Sequence, residues 1–342
     1  MMEKKLSVGI LGCGMIANYH AKAILEIPLL KLYGAFDAYR PGGEKFTANY
    51  GIHLFSSAEE LIASPDVDIV SICLPSGLHA PMALACIRAG KHVILEKPMA
   101  FTAAEADEII AEADRVGVKV TVISQLRYTP AVAALKKAVD EGHFGKVVAA
   151  DIYMKYFRSE EYYASSNWKG TLKMDGGGAL MNQGIHGVDL LQYVAGPVVS
   201  VQAIADTKHH KIEVEDIVSA LVEFKSGAFG VIQATTCVYP GFQRRLEISG
   251  SEGTVILTED TITFSDFKNP AYNLECGVSQ KVTGNRPDGM DHSLHKAQIA
   301  DFAAAIAENR RPFIDATDGK RAVAIIDAVY RSAKTGEKIY ID

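Results

Sequence analysis

No stretch of this chain approaches the roughly 18 to 20 consecutive apolar residues that a membrane-spanning helix requires, so no span is expected. Positive charge is also in short supply. Against 41 Asp and Glu stand only 35 Lys and Arg, giving a formal net charge of −6 and a pI near 6.0. A nucleic-acid or anionic-membrane partner needs a basic face, so neither is expected, although a local basic pocket for a small anion is compatible with this balance. Cysteine numbers five, at positions 13, 73, 86, 237 and 276, with no Cys-x-x-Cys pair and no Cys/His cluster at metal-ligand spacing. Zinc and a disulfide framework are therefore poorly supported, no metal is assigned, and a reducing cytoplasm is the expected location. The first residues enter a strand-like run at once, with no apolar core or small-residue cleavage site of a signal peptide. Internal repeats and low-complexity segments are lacking.

What remains has the composition of an ordinary globular protein, 48% hydrophobic and 22% charged. At 342 residues it is too long for one ordinary core and comfortable for two domains. Residues 6 to about 123 alternate strand-like with helix-like segments: strands at Leu6–Leu11, Lys31–Phe36, Val67–Leu74, His92–Leu95 and Lys119–Ile123, helices near 15–26, after Pro41, 80–89 and 103–116. Such alternation predicts a doubly wound parallel sheet. After residue 124 a helix near 130–141 gives way to long strand patterns at 146–157, 198–206, 216–224, 229–236, 244–249 and 254–257, the mark of a mostly antiparallel sheet. Helices are expected near 184–195, 293–308 and 317–335, and a polar loop over 266–291. The predicted architecture is a Rossmann domain over residues 1–123 and an α+β domain with an open, mostly antiparallel sheet over residues 124–342.

Gly12-Cys13-Gly14-Met15-Ile16-Ala17 fits the G-x-G-x-x-G/A dinucleotide fingerprint, after a predicted strand and opening a predicted helix. Gly12 permits the tight turn, Gly14 lets backbone approach a pyrophosphate, and Ala17 allows close packing of helix on strand. The free N–H groups of the helix start, with Met15 and Ile16, face the phosphates. Asp37, twenty residues after Ala17 at the end of the second strand, is placed to accept hydrogen bonds from ribose hydroxyls and to repel a 2′-phosphate. NAD is thus favoured over NADP, with Arg40 leaving dual use open. Leu74, Pro75, Ser76 and His79 follow the apolar strand at 67–74, where loops line the ligand crevice.

Two further motifs follow in order: Glu96-Lys97-Pro98, after the fifth strand, and the run Gly176-Gly177-Gly178-Ala179-Leu180-Met181-Asn182-Gln183-Gly184-Ile185-His186. With Arg127-Tyr128-Thr129-Pro130, the stretch 142–147, Trp168-Lys169-Gly170, Ile212–Asp216 and the pattern over 328–336, the chain resembles the glucose–fructose oxidoreductase / inositol dehydrogenase / rhizopine catabolism (Gfo/Idh/MocA) family over nearly its whole length. The resemblance implies a Rossmann domain followed by an open-sheet domain. It also implies NAD(P)-dependent oxidation or reduction of sugars, inositols and related polyols, by dimers or tetramers built through the exposed sheet face.

Moving hydride to or from a carbinol carbon requires an acid/base at its oxygen. Lys97 is the first candidate; the resemblance makes it the catalytic lysine, next to a peptide bond that is often cis, with Glu96 beside it at the cofactor. His186, early in the helix near 184, is implied to contact the reacting hydroxyl. Asn182 stands where polyol dehydrogenases of the family commonly carry Asp; an amide orients an imidazole without stabilising its charge, so Lys97 is expected to carry more of the proton transfer. Asn182, Arg127, Tyr153, Lys155 and Trp168 are expected substrate contacts, with the imidazole and ammonium of His186 and Lys97 facing one substrate oxygen. His292 and His295 stand equally as sugar contacts or as a solvated helix start. Two other readings remain open at this point: a non-catalytic NAD(H)-binding redox sensor, and an NADP-preferring dihydrodiol or aldose dehydrogenase.

Overall fold

Residues 5–279 and 291–341 are described by a computed structural model. The chain forms two compact units, Met1–Gln125 with Met290–Lys320, and Leu126–Gly289 with Arg321–Asp342. The division expected at 123/124 misses the return of a late segment to the first unit.

In the first unit the order is β1 (Leu6–Leu11), α1 (Met15–Leu25), β2 (Leu30–Phe36), α2 (Arg40–Tyr50), β3 (His53–Leu54), α3 (Ala58–Ala63), β4 (Ile69–Ile72), α4 (His79–Arg88), β5 (His92–Leu95), α5 (Ala103–Val116) and β6 (Val120–Val122). The sheet is parallel throughout, with order β3-β2-β1-β4-β5-β6. Its strand order reverses between β1 and β4, which is where open α/β sheets place a ligand crevice. Strand β4 is buried end to end and β5 at all but its first residue, so a continuous apolar run rather than alternation marks them in sequence. Helix α5 shows why these residues stop and start where they do. Thr102 and Glu105 form a reciprocal capping box, and Gly117 closes the helix in the left-handed region at φ 80°.

The second unit contributes α6 (Pro130–Asp140), β7 (Val147–Lys155), α7 (Glu160–Ala164), α8 (Ile185–Ala195), β8 (Val198–Asp206), β9 (Ile217–Phe224), β10 (Phe229–Thr235), β11 (Arg245–Gly250), β12 (Gly253–Thr258) and β13 (Thr261–Phe267). Two more helices, α9 (Ser293–Ala307) and α10 (Ala316–Thr335), precede a last short strand, β14 (Ile339–Tyr340). Eight strands align as β13-β12-β11-β7-β10-β9-β8-β14, antiparallel except for the β7–β10 pair. Strand β13 takes up Asp266 and Phe267 from the expected loop, a 3₁₀ turn follows at Pro270–Tyr272, and residues 280–290 of that loop lie outside the described ones. Helix α8 packs on the sheet face that carries Ala150, Ile152 and Met154. On the opposite face Ile204, Leu221, Phe229 and Tyr340 remain largely exposed.

Helix α9 completes the first unit. Ile299, Phe302 and Ala303 join the core formed by Val8, Ile10, Ala17, Ala21 and Ile24, against α1. Its apolar stripe required burial, but nothing in the stripe names the surface that buries it.

Between β7 and α8 the chain makes a wide π-type turn over Ala179–Gly184. Asn182 and Gln183 both direct their N–H to Gly178 O, at 3.1 and 3.4 Å. Glu215 accepts from Gly178 N, just before the turn, at 2.9 Å and from Leu180 N at 2.8 Å; Met181 N donates to the Tyr330 hydroxyl at 3.2 Å, and that hydroxyl donates its proton to the Glu215 carboxylate. A Cβ on Gly178 would lie 2.0 Å from Glu215 O. Since that atom is backbone and cannot swing aside, Gly178→Ala is expected to cost about 2–3 kcal/mol or more. Urea unfolding of the variant checks this through a midpoint well below that of the parent chain.

Candidate functional site

The glycine turn of the first unit is built as its sequence demands. Gly12 has φ 88°, and a Cβ there would stand 2.6 Å from Cys73 O, so the end of β1 and the loop after β4 meet backbone to backbone. Gly14 is the N-cap of α1, with no side-chain cap, no acidic residue in the first turn, and open space where its Cβ would be. The first amides of α1 are thus left for an external acceptor at the positive end of the helix dipole. Met15 is exposed and Ile16 half-buried. Asp37 accepts from Cys13 N at 2.6 Å and Tyr39 N at 2.7 Å, which locks its carboxylate beside the turn. Burial, then the nearby Asp37 charge, pushes the Cys13 thiol up to about 12, so it stays protonated at neutral pH. Arg40 pairs with Glu44 at 2.9 Å on the surface.

Leu74 and Pro75 are half-buried and Ser76 is buried. His79, expected to face a cofactor, is 1% exposed. Its ring bridges Leu74 O at 2.8 Å and Pro98 O at 2.7 Å, so it ties the loop after β4 to the loop after β5. Burial outweighs both carbonyls and holds its pKa below the ordinary value.

Glu96 is likewise corrected from a cofactor contact to an internal one. It is buried, bonded through Oε1 to His20 Nε2 at 2.9 Å, and accepts the Lys97 amide through Oε2 at 3.2 Å. His20 completes the link with Nδ1 at 2.8 Å from Ser71 Oγ. Burial by itself disfavours charge on both partners; for His20 the Cys73 sulfur and the Glu96 carboxylate outweigh it and raise the pKa, and for Glu96 the His20 bond and charge outweigh it and lower the pKa. His295 packs against this pair, buried and held down to about 4, first by burial and then by the His20 charge. The potential ligand atoms of His20, Glu96 and His295 lie within 4.8 Å of one another, the geometry of an ion pair and of a metal cluster alike. His292 pairs with Glu26 at 2.8 Å. The Lys97–Pro98 peptide is cis. From Val93 to Ala100 every residue is buried except Lys97, which is half-buried.

In the second unit Asn182 donates its amide proton to Asp175, a carboxylate 1% exposed that also accepts Gly170 N at 2.8 Å. His186 is half-buried in the first turn of α8, one helical turn beyond Asn182, and Trp168 is half-buried in the segment before Asp175. Arg127 does not offer itself to a substrate. It is 3% exposed, donates from Nε and Nη2 to the two oxygens of Asp189 on α8, and stacks on Tyr193 with Cζ 4.5 Å from the ring centre. Tyr153 and Lys155 lie on the sheet face opposite α8, because β7 turns Ile152 and Met154 toward the helix and its odd-numbered neighbours away. Neither shares a face with His186.

Sequence reading passed over His20, Asp175, Asp189 and Glu215. For His20 a signal existed: it falls on the stripe Ala17, His20, Ala21, Ile24 of α1, where a polar group needs a buried partner. The acids of Ile212–Asp216 carried no mark of their separate tasks. Glu215 caps the π-type turn, while Asp216 accepts the amides of Lys208, His209 and His210.

These features define a dinucleotide-binding oxidoreductase, and comparison with known proteins agrees. Residues 6–124 match the oxidoreductase family model described as an NAD-binding Rossmann fold, and residues 132–256 match the GFO/IDH/MocA C-terminal domain. The chain belongs to the Gfo/Idh/MocA oxidoreductase family. It is similar to the WlbA dehydrogenase of Bordetella pertussis, solved in complex with NADH and UDP-GlcNAcA, at 30% identity, 99% coverage of both chains and a TM-score of 0.89. It is 29% identical to 1,5-anhydro-D-fructose reductase of Ensifer adhaerens over 98% of each chain. Inositol 2-dehydrogenase of Rhizobium meliloti is 27% identical over 97% of this chain and 98% of its own. NAD fits the residues present: open space over Gly14, uncapped amides on α1 and a fixed carboxylate at Asp37 are the parts such a ligand requires.

The Glu96–His20 pair carries a pH signature. A raised His20 pKa lends stability that is complete below about pH 6.5 and is lost as pH climbs through the higher folded value; the lowered Glu96 pKa lends stability present above about pH 4.3 and lost as pH falls. Glu96→Gln is expected to cost about 3–5 kcal/mol at neutral pH and to abolish the decline of stability above about pH 6.5. Urea titrations at several pH values check this; parallel curves for variant and parent would refute it.

Proposed function

We propose that this protein is a dehydrogenase that interconverts a secondary alcohol and a ketone on a sugar-like substrate, with NAD preferred over NADP. One observation carries the chemical part. In the corner after β5 the backbone and neighbouring side chains are buried, Glu96 is turned inward to His20, and Lys97 alone keeps exposed surface. An ammonium on such a base has a fixed root and a short reach, as a group that moves one proton at one oxygen requires. NAD, when bound, accepts or returns the hydride. As the neutral amine Lys97 takes the hydroxyl proton in oxidation, and as the ammonium it supplies a proton to the carbonyl oxygen in reduction. His186 donates a hydrogen bond to the same oxygen, and Asn182, its amide nitrogen fixed by Asp175, orients the substrate. Half-buried Trp168 contributes an apolar wall to the same substrate.

The relatives' names support a sugar-like substrate, since they are called a 1,5-anhydro-D-fructose reductase, an inositol dehydrogenase and a dehydrogenase bound to UDP-GlcNAcA. Asn182 in place of a carboxylate favours a hexopyranoside, glycoside or sugar acid over myo-inositol. A homodimer or homotetramer through the open sheet face is supported by Ile204, Leu221, Phe229 and Tyr340, each more than 60% exposed. Five free cysteines suit a reducing cytoplasm.

Lys97→Ala is expected to lower kcat by about a hundredfold or more with little change in NADH affinity. Steady-state rates on a sugar panel and fluorescence titration of NADH measure the two separately, and unimpaired turnover removes Lys97 from the mechanism. Asp37→Ala is expected to weaken NAD binding by about tenfold and narrow the preference over NADP, because the carboxylate no longer repels a 2′-phosphate. Titration with both nucleotides tests it; an unchanged ratio of affinities overturns the assignment.

A further inference from the structure

Tyr162, on α7, has two cations against its ring. The Lys169 ammonium lies 4.2 Å from the ring centre and the Arg158 guanidinium 5.5 Å from it. Gln183 of the π-type turn joins them: its Oε1 accepts from Arg158 Nη2 at 2.7 Å and its Nε2 donates to the Tyr162 hydroxyl at 2.8 Å. Arg158 Nη1 is anchored on Phe157 O at 2.9 Å, and Lys169 Nζ on Ser165 Oγ at 2.9 Å. Among the described residues no carboxylate oxygen comes within ion-pair distance of the Lys169 ammonium, which is half-buried. Burial disfavours its charge, Asp175 partly offsets this, and Arg158 adds like-charge repulsion; the pKa is lowered on balance. Two cations held together beside Asn182 and Gln183, in an acidic protein rich in carboxylates, form an arrangement that favours an external anion.

We propose that Lys169 and Arg158, framed by Tyr162 and Gln183, form a subsite for an anionic oxygen group of the substrate, a carboxylate or a phosphate. This deepens the functional reading above, since it names the part of the sugar the second unit selects. Lys169 supplies a point charge and Arg158 a planar fork of donors, and together they place an acidic substituent against the turn that carries Asn182.

The test compares sugars of one ring type: glucose and methyl glucoside as neutral probes, glucuronate as carboxylate, glucose 1-phosphate and UDP-glucose as phosphates. The parent chain is expected to favour one acidic class by about tenfold or more in kcat/KM, with the gain in KM. Lys169→Met is expected to reduce the ratio of acidic to neutral kcat/KM by about tenfold, and Lys169→Arg to restore most of it. Whether the carboxylate or the phosphates respond identifies the group. Equal use of acidic and neutral sugars, or a ratio untouched by Lys169→Met, overturns the subsite while leaving the dehydrogenase reading intact. If no sugar is turned over with NAD or NADP, the dehydrogenase reading fails, and binding then decides the subsite. Trp168, the single tryptophan, adjoins Lys169 and reports by fluorescence. An emission change saturating with glucuronate or glucose 1-phosphate, absent with glucose and absent in Lys169→Met, upholds the subsite; its failure to appear in the parent chain ends it.

Discussion

A carboxylate buried at the carboxyl end of a parallel sheet must be neutralised, and the corner after β5 is organised around that need. Glu96 meets His20 from α1, His20 meets Ser71 from β4, and the Lys97 amide closes on the same carboxylate. Three elements of the first unit are thereby held in register by one charge pair. His79 adds a second tie between the loops after β4 and β5. An ion pair of this kind gives little net stability against an apolar replacement, so its value lies in geometry: it fixes where the Lys97 backbone stands.

The second unit solves a comparable problem with different means. A π-type turn leaves amides outside the regular ladder, and Glu215 with Tyr330 supplies their partners. Asp189 clamps Arg127 to α8, and Asp175 clamps Asn182. Buried acids therefore outnumber reactive ones, and most hold backbone or side chains in place for the few polar groups left half-exposed. Lys169 and Arg158 are held in the same way, by Ser165 and by Gln183, against the ring of Tyr162.

Much of this was legible in the chain itself. Alternation of apolar runs with amphipathic segments marked the Rossmann unit, and the α5 boundaries at 103 and 116 coincide with those read from the sequence, where Gly117 follows the helix. The glycine spacing and Asp37 were readable because a tight turn and a fixed distance along two adjacent strands leave little freedom. β3, α3 and β14 escaped because, at two to six residues, they lack the continuous apolar runs that marked β4 and β5, and β13 escaped with them. Arg127, His79 and Glu96 were assigned to ligands because each is polar and lies beside a motif; burial, which sequence does not state, turned all three inward. Tyr153 and Lys155 were correctly paired on one strand face, but period two does not say which face a helix will cover.

Local sequence therefore determined the elements, the glycine turn and the identity of the polar groups near it, because these depend on neighbours a few residues away. Tertiary structure alone decided that α9 returns to the first unit, that His20 neutralises Glu96 across 76 positions, and that Glu215 caps a turn 35 residues before it. Those outcomes hinge on desolvation and on which surfaces meet, and both arise only once the chain has closed on itself.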